Sequence, residues 1–246
     1  MGSKTYLQDV QKRRMKLSVV IPVYNEQSTI GEVIDRVLMV KVRGFEKEVI
    51  ISDDGSADNT PAVIHDYSNK YPDTIKVYTS PINLGKGAAV RLGLNLATGD
   101  VVLVQDADLE LNPEEYPQLL APILRGETNV VYGSRFRARR NQIPVRTRMS
   151  NWFLTQLTNL LYGSRLTDMA TAYKVFRIEV IKGLTLRSAR FEFEPEVTAK
   201  LLLSGQRIVE VPISFIPRGV QAGKKIGWID GIEYVYTLLK YRFLKG

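Results

Sequence analysis

Over its first hundred or so residues the chain repeatedly sets an apolar, β-branched run before a helix-like stretch, and this alternation restricts its fold more than any other feature. Residues 17–26 (LSVVIPVYNE) read as a strand that stops at Pro22 and enters a loop, and residues 29–40 follow as an amphipathic helix. The plan repeats when residues 48–52 run into Asp53-Asp54-Gly55-Ser56 and a helical pattern with Asp58 as its cap. Residues 76–79, the helix-like 87–97 and a strand at 101–105 continue it. Strands alternating with helices imply a mostly parallel central sheet flanked by helices, an α/β fold whose ligands sit at the carboxyl ends of the strands.

That rule brings three acidic clusters to one edge: Glu26, Asp53 with Asp54, and Asp106 with Asp108. Successive side chains of an extended segment point to opposite faces, so Asp106, Asp108 and Glu110 share a face if the backbone stays extended past the strand. Three carboxylates so placed repel one another until a cation neutralises them. Mg²⁺ or Mn²⁺, which takes carboxylate and phosphate oxygens, suits them. The same acids also serve as a polar loop in which 112–115 starts the next helix, so the pattern alone leaves both readings open.

In order, the segments VVIPVYNE (19–26), SDDGSADNT (52–60), NLGKGAAVRLG (83–93), TGDVVLVQDADLE (98–110) and VVYGSRF (130–136) resemble the family 2 glycosyltransferases of the GT-A nucleotide-sugar fold. The resemblance implies a metal-dependent, inverting hexosyltransferase. It assigns Pro22, Tyr24, Glu26, Asp53 and Asp54 to the donor nucleoside, Asp106, Asp108 and Glu110 to Mg²⁺ or Mn²⁺, and Asp106 also to the donor diphosphate. Lys86 is a further donor candidate; its loop lacks the G-x-x-x-x-G-K-[ST] spacing of an ATPase phosphate loop.

Beyond residue 134, six arginines fall within fourteen residues (135, 137, 139, 140, 146 and 148), a surface suited to phosphate because guanidinium groups bind it bidentately. A donor whose diphosphate is already neutralised does not call for so many, whereas a phosphorylated acceptor does. The stretch is similar to the polyprenyl-phosphate branch, the dolichyl-phosphate mannose and glucose synthases. That resemblance puts Arg135, Arg146 and Ser150 on the lipid phosphate, with Arg135 and the Asp106–Asp108 pair as the catalytic set. Residues 166–177 and 191–196 resemble further family segments, with Ala172 in place of a glycine, and make Asp168 an acceptor-side candidate that binds sugar or holds the arginines. Arg218 and Lys225 resemble a loop that covers the diphosphate, although Lys224 replaces its serine.

With 246 residues and no Pro/Gly linker, one domain is expected: a nucleotide-sugar half at about 15–135, an acceptor half at about 136–227 and a C-terminal amphipathic helix at about 228–246. The absence of cysteine and the single His65 exclude disulfides and multi-histidine zinc chemistry. No run reaches the ~18 apolar residues of a membrane span, and residues 1–14 lack an apolar signal core, so a cytoplasmic protein is expected. The net charge of +8 favours an anionic partner. Nucleic-acid motifs are missing, and the basic, aromatic stretch 228–246 together with Trp152 and Phe153 suits peripheral contact with the cytoplasmic face of a membrane, with a separate membrane protein as a possible anchor. Two alternatives stand beside this reading: transfer to a glycan or soluble hydroxyl, and a non-catalytic nucleotide-sugar-binding subunit.

Overall fold

The computed structural model describes residues 14–138, 141–217 and 228–244. Its strands β1 (Met15–Val23), β2 (Phe45–Asp53), β3 (Ile75–Thr79), β4 (Val101–Val104), β5 (Val130–Ser134), β6 (Lys174–Arg177) and β7 (Ile208–Pro212) form one sheet, ordered β3-β2-β1-β4-β6-β5-β7. All run the same way except β6, which is antiparallel to both β4 and β5. The order reverses between β1 and β4, so their carboxyl ends open the crevice in which such sheets bind ligands.

Both faces of the sheet are covered. Alternate residues of β1 enter separate cores: Leu17, Val19 and Ile21 pack with α1 (Ile30–Met39), α2 (Thr60–Lys70) and α4 (Tyr116–Leu124), whereas Val20 packs with α3 (Lys86–Leu96) and α7 (Phe193–Leu203). A strand buried on both sides must be apolar throughout, which explains the unbroken run read from the sequence. A third, smaller core joins α5 (Val145–Tyr162) to α8 (Trp228–Phe243) through Leu154, Leu166, Met169, Tyr234 and Leu238. The remaining helix, α6 (Ile178–Lys182), follows β6 directly.

Three boundaries differ from expectation. β1 continues through Pro22 to Val23. Val20 accepts from the Gln105 amide on the β4 side, and β4 ends at Val104, so the N–H that proline lacks falls where no ladder remains. The chain bends at 107–110 instead of staying extended, so Asp106, Asp108 and Glu110 are not aligned along one strand face. The basic segment is partly helical: α5 starts at Val145, behind Pro144, and carries Arg146 and Arg148 in its first turns.

At the opposite edge from the crevice, Glu48 is buried and accepts from Ser18 Oγ (2.5 Å), Thr98 N (2.7 Å) and Lys16 Nζ (2.6 Å). Burial alone would raise its pKa, but these bonds outweigh burial and hold it at about 2, below the ordinary 4.5. A depressed folded pKa stabilises the fold fully above the unfolded value, and that contribution is lost as pH falls from about 4.5 toward 2. Glu48→Gln is expected to cost on the order of 3 kcal/mol at pH 7 and to flatten the acid limb of the stability profile, measured by urea unfolding from pH 7 to pH 2.5.

Candidate active site

Two loops are knitted together at the ends of β1 and β2. Asn25, in the left-handed region at φ 53°, receives a bond from Ala57 N on its Oδ1 (2.8 Å) and donates its own amide to Ser56 Oγ (2.9 Å). The Glu26 amide donates to Thr60 Oγ1 (2.9 Å), and Asp58 accepts from Thr60 N (2.9 Å), acting as a cap one residue ahead of Asn59. Tyr24 stands half-exposed on this rim, Pro22 is buried beneath it, and Glu26 accepts from Thr29 Oγ1 (2.8 Å).

The paired aspartates divide their tasks. Asp53 is buried; its Oδ1 accepts from Ser56 N and Oγ, while its Oδ2 has no partner, as suits a carboxylate that receives a ligand's N–H or O–H. Asp54, expected at the nucleoside, instead gives both oxygens to the backbone, accepting from Leu84 N (2.8 Å) and Gly85 N (2.7 Å). It sets the loop before α3. Gly85 has φ 107°, and a Cβ there would come within 2.5 Å of Ala189 O, so only glycine fits. The next amides are also occupied, Gly87 N by Arg190 O (3.1 Å) and Ala88 N by Ala189 O (2.9 Å).

Lys86, between these clamps, reaches Asp106 Oδ1 at 2.8 Å and Glu194 Oε1 at 3.5 Å. Burial works against its charge, but the Asp106 and Glu194 carboxylates outweigh it and raise the pKa above the ordinary lysine value. Glu194 Oε2 is buried and without a partner. Glu194 lies in the segment 191–196 noted for its family resemblance; its place beside Asp106 comes from the fold, because α7 brings it there from the far half of the chain. Asp108 is buried, and its Oδ1 accepts from Glu110 N (3.0 Å). Among the described residues no three acids are grouped as a ready-made metal cage. An all-oxygen set of two near-adjacent carboxylates, with an unpartnered carboxylate oxygen close by, still fits a hard divalent cation that takes its other ligands from a diphosphate.

Gln105, one residue before this pair, is a positioning group that the sequence did not mark. Its Oε1 accepts from Tyr116 Oη (2.9 Å) and Tyr173 Oη (2.7 Å), and its Nε2 donates to Asp106 O (2.9 Å).

Arg135 follows β5 on the same edge. Asp168 is fully buried and accepts four bonds, from Arg135 Nε (2.8 Å), Nη2 (2.8 Å) and backbone N (3.0 Å) and from Asn151 Nδ2 (2.7 Å). Glu210 accepts from the amides of Thr167 and Asp168, both at 2.9 Å, and fixes that turn. Of the two roles left open for Asp168, binding sugar or holding the arginines, these bonds match the second: it holds Arg135. The guanidinium lies over Phe215 (5.4 Å) and Phe136 (6.0 Å) and also feels the charges of Glu110 and Asp106. Nearby, buried Lys174 donates to Met169 O (3.2 Å) and Thr171 O; burial pulls its pKa down to about 8 against the opposing pull of Glu194 and Asp168.

A cavity of about 280 Å³ opens on Arg135 and is lined by Phe136, Ala138, Asn141, Ile143 and Arg148. Arg146 and Ser150, the expected phosphate partners, are exposed on the first turns of α5 and are not among its lining. Arg148 was visible in the arginine run but unassigned. Arg218 and Lys225 lie outside the described residues, as do Arg139 and Arg140.

Residues 18–185 match the model of glycosyl transferase family 2. The chain belongs to this family. It is 30% identical over 245 residues to the dolichol-phosphate mannosyltransferase of Pyrococcus furiosus, covering 92% of this chain and 64% of that protein. It is 30% identical over 227 residues to the undecaprenyl-phosphate 4-deoxy-4-formamido-L-arabinose transferase of Proteus mirabilis, covering 91% and 67%. The chain thus spans a little under two thirds of the length of the first of these relatives. The family's GT-A fold is shared with glucosyl-3-phosphoglycerate synthase of Mycobacterium tuberculosis, with a TM-score of 0.71 at 22% identity over 94% of this chain and 82% of that one.

Proposed function

We propose that the protein transfers a hexose from a nucleotide-sugar to a polyprenyl phosphate. The observation that carries this reading is Arg135, fixed by a saturated, buried Asp168 at the mouth of a cavity shared with Arg148, on the same sheet edge as Asp106 and Asp108. Two relatives are named for polyprenyl-phosphate acceptors, and the M. tuberculosis synthase was crystallised with Mn²⁺ and uridine diphosphate.

A phosphate acceptor is already an oxyanion at neutral pH, so attack on the anomeric carbon needs no general base. A sugar hydroxyl acceptor would need one. Asp168, with four bonds accepted, cannot fill that role. Arg135 and Arg148 align the acceptor phosphate, Asp53 receives the nucleoside, and Lys86 faces the diphosphate, which makes positioning and charge stabilisation the main sources of rate. Asp106 and Asp108, with Glu110, are the residues to hold a divalent cation, which when bound neutralises the diphosphate leaving group. In-line attack inverts the anomeric centre. The single-domain division, the donor roles of Pro22, Tyr24 and Glu26 and those of Arg218 and Lys225 belong to the same proposal.

Peripheral membrane contact is part of this reading. No helix among the described residues is long and apolar enough to cross a membrane. Yet α5 exposes Met149, Trp152 and Phe153, and α8 exposes Ile232, Tyr236 and Phe243 beside Lys240 and Arg242. Two aromatics of the expected amphipathic set turn inward: Tyr234 is buried, and Tyr241 donates to Glu196 Oε1 (2.7 Å). The side chain of Trp228 and all of Lys245 lie outside the described residues.

Radiolabelled GDP-mannose and UDP-glucose, each supplied with Mn²⁺ or Mg²⁺ and a short polyprenyl phosphate, test the proposal. Label is expected in the organic phase and should vanish with EDTA. Donor binding without any lipid product would overturn the phosphate-acceptor reading and redirect the search to hydroxyl acceptors.

A further inference from the structure

Lys86 is held in a way that separates its backbone from its side chain. Asp54 fixes the amides of Leu84 and Gly85, and the carbonyls of Ala189 and Arg190 fix those of Ala88 and Gly87. The start of α3 is locked on both sides, and the amides of Gly87 and Ala88 are already occupied by backbone carbonyls. The flexible four-carbon stem is the part free to move, and it carries the ammonium onto Asp106, with Glu194 behind it.

A divalent cation that binds Asp106 therefore meets a positive charge already in contact with that carboxylate. Arriving alone, the cation must coexist with the ammonium or push it from its 2.8 Å partner in a partly buried site. A diphosphate changes the balance, because it adds negative charge that both cations can share and offers Lys86 a new partner within reach of its stem. We propose that Lys86 competes with the divalent cation for Asp106 and so makes metal and nucleoside diphosphate bind as one unit. This inference rests on the metal reading of Asp106 and Asp108 given above, and it goes further by assigning the coupling to one side chain.

Coupling between two ligands is reciprocal, so it is measurable from the metal side alone, without turnover. Free Mn²⁺ is followed by its electron paramagnetic resonance signal as the full chain is titrated, first without nucleotide and then with saturating GDP or UDP. The wild type is expected to bind bare Mn²⁺ weakly and to tighten by about tenfold or more with the diphosphate that it recognises. Lys86→Met is expected to bind bare Mn²⁺ about tenfold more tightly than the wild type, with a smaller gain from the diphosphate. Lys86→Arg, which keeps the charge, should stay near the wild type. Thermal unfolding checks each variant, and Lys86→Gln replaces the methionine variant if that one is unfolded.

Bare Mn²⁺ affinity in the Met or Gln variant that equals or falls below the wild-type value overturns the competition, while diphosphate-dependent binding in the wild type leaves the metal site itself standing. Failure of the wild type to bind Mn²⁺ with either diphosphate is a different result, for it removes the metal reading and this inference together.

Discussion

Asp106→Asn is expected to lower transfer by about a hundred- to a thousand-fold or more while the protein stays folded, the loss typical when one preorganised charge-stabilising group is removed from an active site. The substitution keeps shape and volume, and Asp106 is partly exposed beside its partner, so melting should fall by no more than about 4 °C, near 1 kcal/mol for a domain of this size. The carboxylate has two tasks. It pairs with Lys86 at 2.8 Å, and it belongs to the oxygen set proposed for the divalent cation. The amide can neither neutralise the ammonium nor hold a hard cation well. Lys86 keeps Glu194, at 3.5 Å, as its ion-pair partner, with Asp108 acting on it at longer range. Initial rates with saturating donor, together with melting curves, check the expectation, and the exposed Glu127→Gln serves as a charge control. Asp106→Asn activity within about tenfold of the wild type would sink the assignment of Asp106 to the leaving group.

Why some of this was legible in the sequence and some was not comes down to how far apart the partners are. The alternation of runs at 17–22, 48–52 and 101–105 with helices predicts the parallel half of the sheet, because each unit closes locally. From that half the acids at 53, 54, 106 and 108 fall on one edge. β6 was harder to foresee: it inserts antiparallel between β4 and β5, and its short KVFR segment has no periodic pattern of its own. The division between Asp53 and Asp54 was equally hidden, since it depends on a loop about thirty residues away that offers its amides to only one of them. The first turns of α5 read in the sequence only as a phosphate-binding basic surface because arginine marks a charged surface as readily as a helix. Arg148, not Arg146, lines the cavity because helical phase, not motif spacing, decides which of these exposed arginines faces it.

Asp168→Asn is the second large effect expected, and it separates a scaffold from a catalytic base. Asp168 is fully buried and Arg135 nearly so. Breaking such a pair by removing one charge leaves the other uncompensated, at a cost of about 3–5 kcal/mol, or roughly 6–20 °C in melting temperature for a chain of this length. The amide group adds a second fault. Both carboxylate oxygens now accept from N–H donors, so an NH₂ placed at either one faces a donor and leaves a bond unmade. Arg135 should lose its fixed orientation over Phe215, and KM for the lipid phosphate should rise more than kcat falls. A general base would behave otherwise: kcat would collapse, KM would hold and the melting temperature would barely move. Kinetics against acceptor concentration together with thermal unfolding distinguish the two patterns. The second pattern would return the protein to the class that transfers sugar to a hydroxyl, because only such an acceptor gives a carboxylate a proton to remove.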